Sequence, residues 1–295
     1  MKEIVIISGK GGTGKTSVTA SFSVLGGTGV VTADCDVDAA DMHLLLAPDF
    51  AEAHDFYSGY LARIDPGACS GCGRCAEVCR YGAVDVNDGV YSVLPLDCEG
   101  CGYCARICPD EAIRMEEQNV GQWFRSSIKT GGTMVHARLG IGAENSGKLV
   151  ARVKNEAKRI AEETGKDTVL VDGSPGIGCP VVSSLSGADF VVFVTEPTVS
   201  GLHDVKRVHE LVKRFHIPSG CIINKADLNT DVTRQLKEFL DEEGIVHIAD
   251  LPYDETFTEA MTLGLTIVEY AGSGLTEQLS EGWRKILHIV HTKGE

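Results

Sequence analysis

The sequence predicts an α/β protein built on a doubly wound, mostly parallel sheet, interrupted by a small α+β insert rich in cysteine. Three observations carry that reading. Short apolar runs alternate with amphipathic stretches along most of the chain, the pattern of strands buried on both faces and joined by helices. A glycine-rich stretch, Ser8 to Ser17, separates the first apolar run from the first helical one. Eight of the eleven cysteines fall between Cys69 and Cys108, a crowding that points to metal ligation rather than to a sheet core.

In chain order, residues 4–7 (IVII) form the first buried strand, and a helix follows the glycine-rich stretch as far as Val24. Residues 30–33 rise into Asp34-Cys35-Asp36, a second strand with acidic residues at its end, and residues 42–47 have helical spacing. From about Leu61 to Glu117 the composition becomes glycine-rich and short-stranded. Strands or a hairpin are expected at 122–124 and 133–139, and a helix at 147–163. Strands then alternate with helices: 169–172, 190–197, helix 201–215, 221–227, helix 231–243 and 246–254. The expected organisation is a sheet domain in two parts, 1–60 and 118–295, around an insert at 61–117. Ligands of such sheets bind at the carboxyl ends of the strands.

Composition excludes some functions. A net charge of −15 argues against nucleic acid as a partner, since such surfaces need clustered Lys and Arg to displace counterions. No run of about 18 apolar residues is present, so no integral membrane segment is expected. The opening MKEIVIISGKGG has no basic, apolar and small-residue sequence of a secretory leader. A cytoplasmic location follows as an expectation, and there the thiols stay reduced.

Gly9-Lys10-Gly11-Gly12-Thr13-Gly14-Lys15-Thr16, followed by Ser17, satisfies G-x-x-x-x-G-K-[ST] between a strand and a helix. Glycines there let backbone N–H groups converge on phosphate oxygens, and the helix N-terminus adds positive potential. Lys15 is placed to reach the β and γ phosphates, and the Thr16 hydroxyl to join a Mg2+ shell. The loop, with its second lysine Lys10, resembles the deviant Walker A of the MinD/ParA/Mrp superfamily, to which the nitrogenase iron protein also belongs. That resemblance implies a dimer, homodimeric or formed with a related chain, in which Lys10 reaches the partner's phosphates. It implies Mg2+ contact through water for Asp34, orientation of the attacking water by Asp36, and metal-shell and γ-phosphate sensing by Asp172. Asp38 and Asp41 follow in the same loop, and the sequence leaves open which carboxylate does which job. Asn224-Lys225-Ala226-Asp227 fits the guanine-reading N-K-x-D, but the superfamily also sets an Asn-Lys pair near adenine; ATP is the expected nucleotide, with GTP open.

Cys69-x2-Cys72-x2-Cys75-x3-Cys79 is repeated 29 residues later as Cys98-x2-Cys101-x2-Cys104-x3-Cys108-Pro109. The spacing resembles bacterial two-cluster ferredoxins, in which the fourth cysteine of each run ligates the other cluster. It implies two 4Fe–4S clusters, one on Cys69, Cys72, Cys75 and Cys108, the other on Cys98, Cys101, Cys104 and Cys79. Arg80 stands where the first run would have proline, and zinc sites made of four cysteines are the alternative. With both clusters bound the net charge falls to about −19, which suits a basic redox partner. Cys179 is expected to be a packed or dimer-interface thiol, Cys35 and Cys221 core thiols, and the stretch 283–290 a helix packed on the sheet.

The function expected from these motifs is that of a Mg2+-dependent ATPase, slow without its partner. Its dimer cycle would be coupled to electron transfer or to docking on a redox or client metalloprotein. The alternatives are an ATP-dependent metal or cluster assembly factor and a MinD-like positioning scaffold.

Overall fold

The computed structural model describes residues 1–140, 145–270 and 274–292. In chain order its strands and helices are β1 (Lys2–Ile7), α1 (Lys15–Gly26), β2 (Val30–Asp34), α2 (Met42–Leu46), β3 (Glu52–Ile64), α3 (Arg74–Val78), β4 (Val84–Asn87), β5 (Val90–Val93), α4 (Tyr103–Ile107), β6 (Ile113–Ser127), β7 (Thr133–Leu139) and α5 (Ser146–Glu163). Then come β8 (Thr168–Asp172), α6 (Cys179–Leu185), β9 (Phe190–Thr195), α7 (Val199–Arg214), β10 (Ser219–Asn224), α8 (Thr230–Glu242), β11 (Val246–Leu251), α9 (Thr256–Thr262) and α10 (Gly274–Thr292). The chain divides into two compact units. One comprises Met1–His54, Gln122–Arg138 and Ser146–Glu295, the other Asp55–Gly121 and Leu139–Asn145.

Among the described residues the main sheet runs β11-β10-β9-β1-β8-β2-β7-β6-β3. Every pairing from β11 to β7 is parallel. β1, β2, β8, β9 and β10 are almost wholly buried, which is why they read as unbroken apolar runs rather than alternating ones. The chain passes from β1 over β8 to β2, and later from β8 over β1 to β9, so the connections diverge on either side of β1 and open a crevice at its carboxyl end. The register sets Ile6 and Asp34 both opposite Asp172, Ile223 opposite Thr195, and Asn224 opposite Leu251. Residues far apart in sequence thereby end on one edge.

α10 buries Leu275, Leu279, Trp283, Ile286 and Val290 in the same core as Ile4, Phe22 and Leu170, and Trp283 stacks on Phe22 at 5.2 Å. It is a helix packed on the sheet, as its spacing indicated. The long β3 is a departure from the short-stranded expectation. Its first nine residues are exposed or half-buried, so they lack the apolar alternation that marks a strand.

In the second unit the cysteine repeat is a structural repeat as well. α3 and α4 are each five residues long, each preceded by a glycine with positive φ, Gly73 at 77° and Gly102 at 71°. Each closes on an extended cysteine, Cys79 or Cys108, whose N–H donates back to Ala76 or Ala105. β4 and β5 pair as an antiparallel hairpin.

Candidate functional site

The glycine-rich loop leaves β1 at Ser8, whose hydroxyl donates to the Lys10 carbonyl at 2.8 Å. Gly12 and Gly14 take φ of 79° and 89°, a region open to glycine and costly for other residues. Gly14 has a second constraint, because a Cβ there would stand 2.4 Å from Asn224 Nδ2. That amide donates to the Thr13 carbonyl at 2.9 Å. The end of β10 therefore braces the loop from outside. Around the loop, Gly9 lies against Asp204 while Gly11 faces open space.

The first residue of α1, Lys15, enters a buried acidic group. Its ammonium lies 2.8 Å from Asp172 and 3.4 Å from Asp36. Thr16 and Thr19 donate to the two oxygens of Asp172, each at 2.8 Å. Burial pulls the Lys15 pKa down, but Asp172 and Asp36 outweigh it and hold the value raised. Asp34 is buried, its Oδ1 accepting the Asp36 N–H at 3.1 Å while Oδ2 has no partner among the described residues. Burial, and then the neighbouring Asp172, push its pKa well above the carboxylate range. Asp36 is raised too, by burial and, against the pull of Lys15, by Asp172. Asp38 and Asp41 are exposed; of that acidic loop only Asp34 and Asp36 are buried beside Lys15, while Asp41 borders a cavity that Lys15 also lines.

Two cavities meet at the loop. One, of 410 Å3, is lined by Lys15, Thr16, Asp36, Leu45 and Pro175. The other, of 260 Å3, is lined by Asn224, Lys225, Tyr253, Phe257 and Thr258. Gly12, Gly14, Ser17 and Met261 border both. A cavity that holds Lys15 and Asp36, beside one that holds Tyr253 and Phe257, suits the phosphates and the base of a nucleotide. Asp227 accepts the Tyr253 N–H at 2.6 Å, so one of its oxygens is already engaged. Tyr253, Phe257 and Met261 were not singled out from sequence.

Lys10 is held on its own chain, 2.7 Å from Glu196 and donating to Ser200 at 3.0 Å and Thr198 at 3.3 Å. Glu196 was not singled out from the sequence. Cys179, expected to be a packed or dimer-interface thiol, is not packed within the chain: it is exposed at the first position of α6. Cys35 and Cys221 are buried as expected.

In the cysteine-rich unit the eight thiols sort into two sets. Cys69, Cys72, Cys75 and Cys108 line one cavity with Arg74 and Tyr91. Cys79, Cys98, Cys101 and Cys104 line another, of 370 Å3, with Arg80 and Tyr103. The Ala83 N–H donates to Cys79 Sγ at 3.3 Å. Burial raises the pKa of Cys75 and of Cys104, and their neighbours Cys69 and Cys72, or Cys98 and Cys101, add to it against backbone hydrogen bonds. Among the described residues, no three Cys, His, Asp or Glu side chains are grouped tightly enough to hold a single metal ion.

The sequence matches the CobQ/CobB/MinD/ParA nucleotide-binding domain over residues 4–267. The chain belongs to that family. An uncharacterized protein of Methanocaldococcus jannaschii, MJ0578, is 34% identical over 77% of this chain and 79% of its own length. The fold is similar to that of the cell division ATPase MinD of Pyrococcus furiosus, with a TM-score of 0.59 at 20% identity over 98% of this chain and 99% of that one. MinD of Pyrococcus horikoshii, solved with Mg-ADP, gives 0.58 at 18% identity over 100% and 99%. Among the described residues, no helix is long and apolar enough to cross a membrane.

Proposed function

We propose that the protein is a Mg2+-dependent ATPase whose nucleotide-driven dimer cycle controls electron transfer or partner docking through two 4Fe–4S clusters. The observation that carries this reading is the sorting of eight thiols into two sets of four, Cys69/Cys72/Cys75/Cys108 and Cys79/Cys98/Cys101/Cys104. They share a chain with the Lys15–Asp172 centre. Each set takes one cysteine from the other's run, the exchange expected of an inserted ferredoxin-like domain at 61–117. The 370 Å3 cavity has room for a cubane, which spreads its ligands further apart than a single zinc ion does, whereas the 10 Å3 space among Cys69, Cys72, Cys75 and Cys108 would have to open to take one. The buried, unpartnered Asp34 oxygen and the Thr16 hydroxyl fit a hard divalent cation and its water.

The residues then act as follows. Lys15 exchanges its hold on Asp172 and Asp36 for the β and γ phosphates, with backbone N–H groups of Gly11, Gly12, Thr13 and Gly14 around them. Thr16 and Asp34 would hold Mg2+, which when bound neutralises phosphate charge. Ser17, Asn224 and Lys225 border the base, with ATP the nucleotide expected. Asp36 orients water, Asp172 senses the γ-phosphate, and Lys10 stabilises charge on the nucleotide of the partner, a second copy or a related chain. The clusters supply one-electron chemistry, held by the eight cysteines. Thiols that must stay reduced to hold clusters suit a cytoplasmic cycle, with a basic redox or client metalloprotein as the partner its charge would favour.

The exposed Cys72 and Cys101 favour a second reading, ATP-driven cluster or metal assembly. A membrane-positioning scaffold is less well supported, because α10 spends its apolar face on the core. The test is anaerobic purification with iron and sulfide analysis, then EPR of the reduced protein with and without ATP. Zinc in place of iron removes the cluster reading, spectra and potentials indifferent to ATP remove the coupling, and transfer of clusters to an apo-protein selects assembly.

A further inference from the structure

We propose that Glu196 is a positioning residue that stores Lys10 on its own chain and releases it when nucleotide fills the base cavity. The inference rests on the dimer reading above and adds a regulator to it.

An ammonium has three donors, and Lys10 has three acceptors within reach: Glu196 Oε1 at 2.7 Å, Ser200 Oγ at 3.0 Å and Thr198 Oγ1 at 3.3 Å. None is left for a phosphate on another chain. Glu196 follows β9, and its side chain is 15% exposed. Its second oxygen lies 3.1 Å from Lys225 Nζ. One carboxylate thus bridges two lysines that would otherwise repel.

Lys225 is where a nucleotide could be felt. It borders the 260 Å3 cavity, has a φ of 56°, and its N–H donates to the side chain of Asn224, the residue that braces Thr13. A base entering that cavity competes for Lys225, and a γ-phosphate competes for Lys10. Withdrawing Lys225 removes a repelling neighbour of Lys10 but also one of the two contacts that fix the carboxylate, and it is the freedom of Glu196 to turn that releases Lys10. The contacts run without a gap from base cavity to Lys225, to Glu196, to Lys10.

The test compares wild type with Glu196→Gln in the full chain, by two measurements. Amine-reactive labelling of Lys10 in nucleotide-free protein, read by mass spectrometry, should rise several-fold in the variant. Sedimentation should show half-maximal dimerisation at an ATP concentration lower by about five-fold, the worth of one partly exposed ion pair. Lys10→Ala serves as the control that cannot use the trans contact. Unchanged labelling of Lys10, or dimerisation at the same or higher ATP, overturns the latch. Increased labelling with no ATP-dependent dimer of wild type overturns the dimer reading instead, and leaves Glu196 only a local partner of Lys10.

Discussion

Asn224 donates through Nδ2 to the carbonyl oxygen of Thr13 at 2.9 Å, so the carboxyl end of β10 holds the phosphate loop in place across 211 residues of sequence. Removing the donor leaves a buried carbonyl unpaired, a cost of about 1–3 kcal/mol. Asn224→Ala should therefore weaken Mg-ATP binding by about ten-fold. Gly14→Ala should do worse, since its Cβ would meet Asn224 Nδ2 at 2.4 Å and the backbone φ is 89°. Titration with a fluorescent ATP analogue measures both, and wild-type affinity in either variant contradicts the bracing role.

Lys15 and Asp172 stabilise each other in a site where the two side chains are 6% and 0% exposed. Lys15→Met strands the charge of Asp172 beside Asp34 and Asp36, and breaking a buried pair of this kind costs about 3–5 kcal/mol. The expected melting temperature is well below wild type. Adding Asp172→Asn should recover most of that loss while ATP binding stays absent. A double variant no more stable than Lys15→Met shows that the penalty lies elsewhere.

Asp34 gives a pH dependence of definite sign. Burial and Asp172 raise its pKa in the folded chain. Its protonated form is thus favoured by folding, and the stability this brings is present at low pH and lost as pH rises through the folded value. At neutral pH without Mg2+, Asp34→Asn should melt higher than wild type, with the gap closing toward about pH 4. Mg2+ with nucleotide should stabilise wild type more than the variant. Calorimetry across pH decides it: a gap that widens on acidification would reverse the assigned sign.

The exchange of cysteines between runs is open to direct assay. Wild type should carry about eight irons per chain, and Cys79→Ser about four. Adding Cys98→Ser to Cys79→Ser should remove no further iron, since both line the 370 Å3 cavity. Adding Cys69→Ser should empty the other set. If Cys79 and Cys69 behave as members of one set instead, the sorting is wrong.

Some of the fold was plain in the chain. Strands buried on both faces, such as β8 and β9, have to be continuous apolar runs, so their positions were readable. β3 was not, because an exposed strand needs no hydrophobic pattern and takes its direction from its neighbours. In the site, Lys15, Thr16, Asp34 and Asp172 were legible from strand ends and one loop. Asp36 could be told from Asp38 and Asp41 only by burial, and the short α9 that supplies Met261 had too little length to show a period.

The sequence by itself determined the glycine-rich phosphate-type loop and the two cysteine runs. Residues that surround one ligand from one loop must lie close along the chain, which is why each motif could be read from spacing alone. Only the tertiary structure decided what stands around them: Glu196 against Lys10, Asn224 against Thr13, Asp172 against Lys15. Those pairs come from strand order and register, which place the carboxyl ends of β1, β8, β9 and β10 along one edge. No spacing along the chain encodes a neighbour that arrives by way of a sheet.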